Sequence, residues 1–194
     1  LCQLFRMPAF YLLALPNLLR GCSTGVMAMA AILGAHTLGL STEATAAASA
    51  VTTAGRVAGS ILYMFFARRR IRTRNACAFG SLLMLISAPL MLAGRIYPLF
   101  LVMLFLANVG ILIVNDAVPV MVTEFLPYDV VGRYTALRMS LTTGGSAFAS
   151  FLLGKLAGSV SPVLLLSFAG TLQALSGAVY WWFSKRHDKT PIQS

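Results

Sequence analysis

Three ionisable side chains, Arg20, Arg56 and Asp116, stand in the middle of long apolar runs. An ionised group at the centre of a hydrocarbon layer costs about 2.5–3.5 kcal/mol on insertion scales, so such groups persist where they meet a partner or a wet cavity. Asn108 and Asn115 are seven residues apart, which puts them on one helix face, and Asp116 adjoins that face. One chemistry open to this set is the lining of a substrate path, with Asp116 as the proton-titrating group. The structural alternative is that Asp116 neutralises Arg20 or Arg56 so that the chain can fold. Arg20 also has a snorkelling option, should the first apolar run begin late.

No soluble catalytic constellation accompanies them. There is no phosphate-binding loop, dinucleotide fingerprint or zinc signature. Cys2, Cys22 and Cys77 are far apart, and His36 and His187 are isolated, so neither a disulfide nor a metal site is expected. No cofactor is expected, and no enzyme activity.

The elements that must position these residues are membrane helices. Of 194 residues, 58% are hydrophobic and 10% are charged, against about 25% charged in soluble domains. A spanning helix takes about 20 apolar residues. Six runs qualify, at about 10–34, 44–66, 76–92, 98–123, 134–156 and 162–183. They predict an all-α, single-domain bundle of six transmembrane helices over 1–194. Pro16, Pro89 and Pro119 predict kinks, with local unwinding at Pro119 just beyond Asp116. Three G-x-x-x-G motifs, Gly21–Gly25, Gly55–Gly59 and Gly154–Gly158, allow close helix approach.

Charge orients the bundle. Arg6, Arg68, Arg69, Arg70, Arg72, Arg74, Arg133, Arg138, Lys185, Arg186 and Lys189 fall on one side, against Arg95 and Lys155 on the other. That bias predicts two cytoplasmic termini in a cell membrane. The net charge of +10 therefore points to anionic lipid and not to nucleic acid. Tyr63, Phe65, Phe66, Tyr180, Trp181 and Trp182 are expected to anchor at the membrane surface as an aromatic belt. The third and sixth runs carry no buried charge, and Gln173 is their most polar residue. Those two helices are expected to face lipid, and the other four to line something polar.

Three stretches resemble the second six-helix half of a major facilitator superfamily transporter. Leu15-Pro16-Asn17-Leu18-Leu19-Arg20-Gly21 resembles the entry of the seventh helix. Gly55-Arg56-Val57-Ala58-Gly59 through Arg74 resembles the eighth helix and the basic loop after it. Pro119 to Gly145, with Glu124-Phe125-Leu126-Pro127 and Gly132-Arg133-Tyr134, resembles the tenth and eleventh helices and their loop. The sequence departs from the family where Ala67 replaces the loop's Asp and where no Gly occurs between Gly59 and Gly80. The resemblance implies that the first, second, fourth and fifth helices border a central cavity and that two inverted three-helix repeats build the half.

The expected function is the carboxy-terminal half of a secondary transporter that moves a small-molecule substrate by alternating access, with the proton as a candidate coupling ion. An amino-terminal six-helix half or a second copy is the expected partner. Arg56, Asp116, Asn108, Asn115 and Arg20 are the expected cavity or coupling residues. Arg68, Arg69, Arg70, Glu124 and Arg133 are the expected cytoplasmic gating residues. The rival expectation is a non-transporting scaffold or assembly subunit whose glycine motifs bind another helix bundle.

Overall fold

The computed structural model describes residues 8–125, 128–156 and 159–187. Arg6, Lys189 and Cys2 lie outside the described residues. Among the described residues seven helices occur: α1 (Pro8–Ala28), α2 (Ala30–Leu38), α3 (Thr42–Arg68), α4 (Thr73–Ala93), α5 (Tyr97–Phe125), α6 (Tyr128–Leu156) and α7 (Pro162–His187). No strand occurs among the described residues. α1 and α2 together form one rod, interrupted at Met29, so the described residues make six rods.

The rod breaks at Met29 and not at a proline. α1 runs through Pro16, α4 through Pro89 and α5 through Pro119. The unwinding expected beyond Asp116 is therefore corrected: the neighbouring turns hold the helix. Proline still removes one donor, and the carbonyl left without its i+4 partner at Pro119 is that of Asn115. α2 ends at Gly39, whose φ of 61° closes the turn, and the Leu40 N–H returns to the Ala35 carbonyl at 2.9 Å. Ser41 then caps α3 by accepting from the Ala44 N–H at 3.2 Å.

Five rods, Ala14–Leu38, Thr42–Arg68, Thr73–Ala93, Tyr97–Glu124 and Pro162–Arg186, are long and apolar enough to cross a membrane. The chain thus fits a multi-pass membrane protein. α6 has the length, 29 residues, but Arg133, Arg138 and a run of Ser, Thr and Gly from 140 to 146 make it more polar than the rest.

Helix neighbours follow the order α3–α5–α4–α7–α1–α6. Glycines set the closest seams. A Cβ at Gly55 would stand 2.7 Å from the Phe105 carbonyl oxygen, and one at Gly59 2.7 Å from that of Val109, so α3 and α5 run parallel. A Cβ at Gly21 or Gly25 would collide with the carbonyl of Thr142 or Ser146, so α1 and α6 also run parallel. The third motif differs, because Gly154 has nothing within 4 Å. α4 and α7 cross antiparallel, with Gly170 against Met84 and Gly177 against Ser81. Exchanging α1, α3 and α4 for α5, α6 and α7 maps this neighbour pattern onto itself: α1·α6 onto α5·α3, α1·α7 onto α5·α4, and α4·α7 onto itself.

Each central rod turns one apolar stripe outward. On α4 the stripe is Phe79, Leu82, Ile86 and Leu90, and on α7 Leu164, Phe168 and Leu175 are exposed. Trp181 and Trp182 are exposed too, stacked under Lys185 and Arg186 at 4.9 and 5.4 Å. Tyr180 corrects the belt expectation, since it is fully buried. Successive helix residues point about 100° apart, and the phase that exposes both tryptophans turns Tyr180 inward.

Candidate functional site

Three helices bring polar side chains to one level. Counting 1.5 Å per residue, Arg20 lies about 18 Å from the start of α1, Arg138 about 15 Å from the start of α6, and Asn115 about 15 Å from the end of α5. α5 and α6 are 29 residues each, about 44 Å at that rise, so the three side chains stand about a third to two fifths of the way along their rods from one end of the bundle. Arg20, Asn115, Arg138, Met139, Thr142 and Thr143 line one cavity of about 210 Å³.

Arg20 is 3% exposed. Its Nη2 donates to the Thr142 hydroxyl at 3.4 Å, and that hydroxyl donates to the Arg138 carbonyl at 2.9 Å. Arg20 Nε and Nη1 and Arg138 Nη1 are buried without a hydrogen-bond partner. Arg20 therefore does not snorkel; α1 begins far enough before it to carry it inside. Beside it, Asn17 donates from Nδ2 to the Tyr134 hydroxyl at 2.7 Å. Tyr134 and Tyr180 are both buried, and the Tyr180 hydroxyl has no partner.

Arg138 is the residue that sequence reasoning placed elsewhere. The sequence groups it with the cytoplasmic cations because the fifth apolar run begins at Tyr134. The helix itself begins six residues earlier, at Tyr128, and lifts Arg138 into the cavity. The charge bias does not depend on this one residue. The signal available in the sequence was the pair Arg138 and Thr142, one turn apart in a helix of weak hydropathy.

Arg56 and Asn108 form a second polar contact. Arg56 Nε donates to Asn108 Oδ1 at 3.3 Å, and Asn108 Nδ2 donates to the Leu104 carbonyl at 2.9 Å. Asn108 is buried while Arg56 is exposed on α3. Asn108 lies about 10 Å along α5 from Asn115. Asp116 is half-buried and within electrostatic reach of Tyr63 on α3. Among the described residues no ion pair within 4 Å joins Asp116 to Arg20 or Arg56. Arg20 and Asn115 thus share the cavity, whereas Arg56 and Asp116 lie outside its lining.

The gating candidates separate similarly. Glu124, at the end of α5, accepts from the Thr73 hydroxyl at 3.3 Å and lines a recess of about 400 Å³ with Arg70, Arg72, Arg74 and Ser184. Arg69 lies over the Phe65 ring at 5.2 Å. Arg68 is exposed at the end of α3, and Arg133 is exposed on α6, outside that recess. The basic loop turns at Arg70, whose φ is 53°.

His36 is exposed near the end of α2. No group of three potential metal ligands occurs among the described residues. No family model matches the chain, and no curated protein matches it.

Proposed function

We propose that the chain crosses the cell membrane six times, with both termini cytoplasmic, and forms the carboxy-terminal half of a major-facilitator-type secondary transporter. The observation that carries this reading is the cavity lined by Arg20, Arg138 and Asn115, more than two helical turns from the helix ends. Groups this costly to bury are functional by default in a membrane, and these converge from three helices on one space. The neighbour pattern supports the same reading, because it repeats when the first three rods are exchanged for the last three. That is the arrangement expected of a half built from paired repeats with a site between them. The exposed small and polar residues on α3 (Ala46, Ser49, Ala50, Thr53) and on α6 (Ser140, Thr143, Gly144, Ala147) suit close packing against a partner half or a second copy. Two of the three glycine motifs are used inside the bundle; in the third, Gly154 is open and Gly158 lies outside the described residues.

The test is wetness. With the native cysteines removed, Asn115→Cys should react with a water-soluble, membrane-impermeant maleimide in reconstituted membranes. Phe168→Cys, which is exposed on α7, should stay silent in lipid. A silent Asn115→Cys removes the cavity and the transporter reading with it.

A further inference from the structure

Among the described residues, the lining of the cavity carries two cations and no anion. Arg20 and Arg138 lie near enough to repel one another. Neither makes an ion pair within 4 Å with Asp116, the acidic residue next to Asn115, among the described residues. A buried charge without a counter-charge is strongly unfavourable, and two at one level are worse than one. Yet three of their nitrogens are also left without an acceptor. Arg20 itself is only 3% exposed.

The guanidinium group has a planar fork of donors that matches carboxylate and phosphate oxygens. Thr142 fixes one nitrogen of Arg20, so the rest of the fork is held in place before anything binds. The Thr143 hydroxyl and the Asn115 side-chain amide add neutral donors around the same space. At about 210 Å³ the cavity is smaller than the roughly 300–1,000 Å³ of sites for drug-sized molecules. It suits a small solute or the charged end of one.

We propose that Arg20 and Arg138 together bind the oxyanion group, carboxylate or phosphate, of a small transported solute. This inference rests on the transporter reading and specifies its substrate class. Arg20 and Arg138 contact the oxyanion, and Thr142 is a positioning residue that acts through Arg20.

The experiment measures charge selectivity inside the cavity. Thr143→Cys is made in a background of Cys2→Ser, Cys22→Ser and Cys77→Ala. The complete transporter is placed in neutral phosphatidylcholine nanodiscs. Modification rates are compared for the anionic methanethiosulfonate ethylsulfonate and the cationic ethyltrimethylammonium reagent, each normalised to its rate with a free thiol in solution. The expected result is an anionic preference of about tenfold, equivalent to about 1.4 kcal/mol. Arg138→Gln should abolish the preference and Arg138→Lys should keep it. Inorganic phosphate or succinate should protect the thiol where glucose does not. Protection by phosphate alone would assign the site to a phosphate group, and protection by succinate alone to a carboxylate. The protection arm needs only the cysteine variant, so it decides the matter even should Arg138→Gln not fold. Equal or faster reaction of the cationic reagent, with no protection by either anion, overturns the proposal and leaves a wet cavity standing. A preference that is absent because a carboxylate of the partner half already neutralises the arginines overturns it too. No reaction with either reagent overturns the transporter reading itself.

Discussion

Replacing Gly55 by alanine should pry α3 from α5 at one defined point. The added Cβ would stand 2.7 Å from the Phe105 carbonyl oxygen and 3.0 Å from the Asn108 Cβ. A carbon–oxygen contact settles at about 3.3 Å or more, so the two backbones must part by roughly 0.6 Å. Backbone cannot rotate out of the way as a side chain can. Overpacking of this kind costs about 1–3 kcal/mol, offset by up to about 1 kcal/mol of helix propensity gained on replacing glycine. Gly154→Ala gains the same propensity and meets nothing within 4 Å. The difference between the two variants therefore isolates the packing cost, at about 1–3 kcal/mol with Gly55→Ala the less stable. Reversible unfolding in mixed micelles titrated with dodecyl sulfate, followed by near-ultraviolet circular dichroism, measures it. Equal stability of the two variants would refute the close α3–α5 seam, and with it the placement of Arg56 on Asn108.

Two further outcomes follow from single residues. Arg70 occupies a left-handed turn at φ 53°, a conformation that costs a non-glycine residue roughly 1–2 kcal/mol. Arg70→Gly should stabilise the loop by about 1 kcal/mol in the same titration, and a loss of stability would show that its side chain contributes more than its backbone costs. Asp116→Asn, reconstituted in the complete protein, should leave solute binding in the cavity unchanged, because Asp116 lies outside the lining; weakened binding would place it among the binding residues.

Much of this architecture is legible in the sequence because hydrocarbon imposes a coarse rule. Apolar runs of a fixed length locate the rods, and the mid-run position of Arg20 already marks it as a candidate. What escaped is set by helix phase and by boundaries. The start of α6 at Tyr128 is hidden under a polar stretch, so Arg138 reads as a surface cation until the helix is extended backward. Tyr180 adjoins two outward tryptophans, and one step of helical rotation separates a surface anchor from a buried hydroxyl. Pro119 reads as a break, yet packing of α5 between α3 and α4 keeps it helical. Sequence adjacency likewise groups Asp116 with Asn115, although neighbouring helix positions face different partners: Asn115 turns to α1 and α6, and Asp116 toward Tyr63 on α3.

The most direct test of the proposed alternating access around this cavity is two-sided labelling of Asn115→Cys in the complete protein, reconstituted in one orientation. The thiol should be modified by an impermeant reagent added from either face of the membrane, with bound solute changing the ratio of the two rates. Modification from one face only, under every condition that permits uptake, would contradict the account.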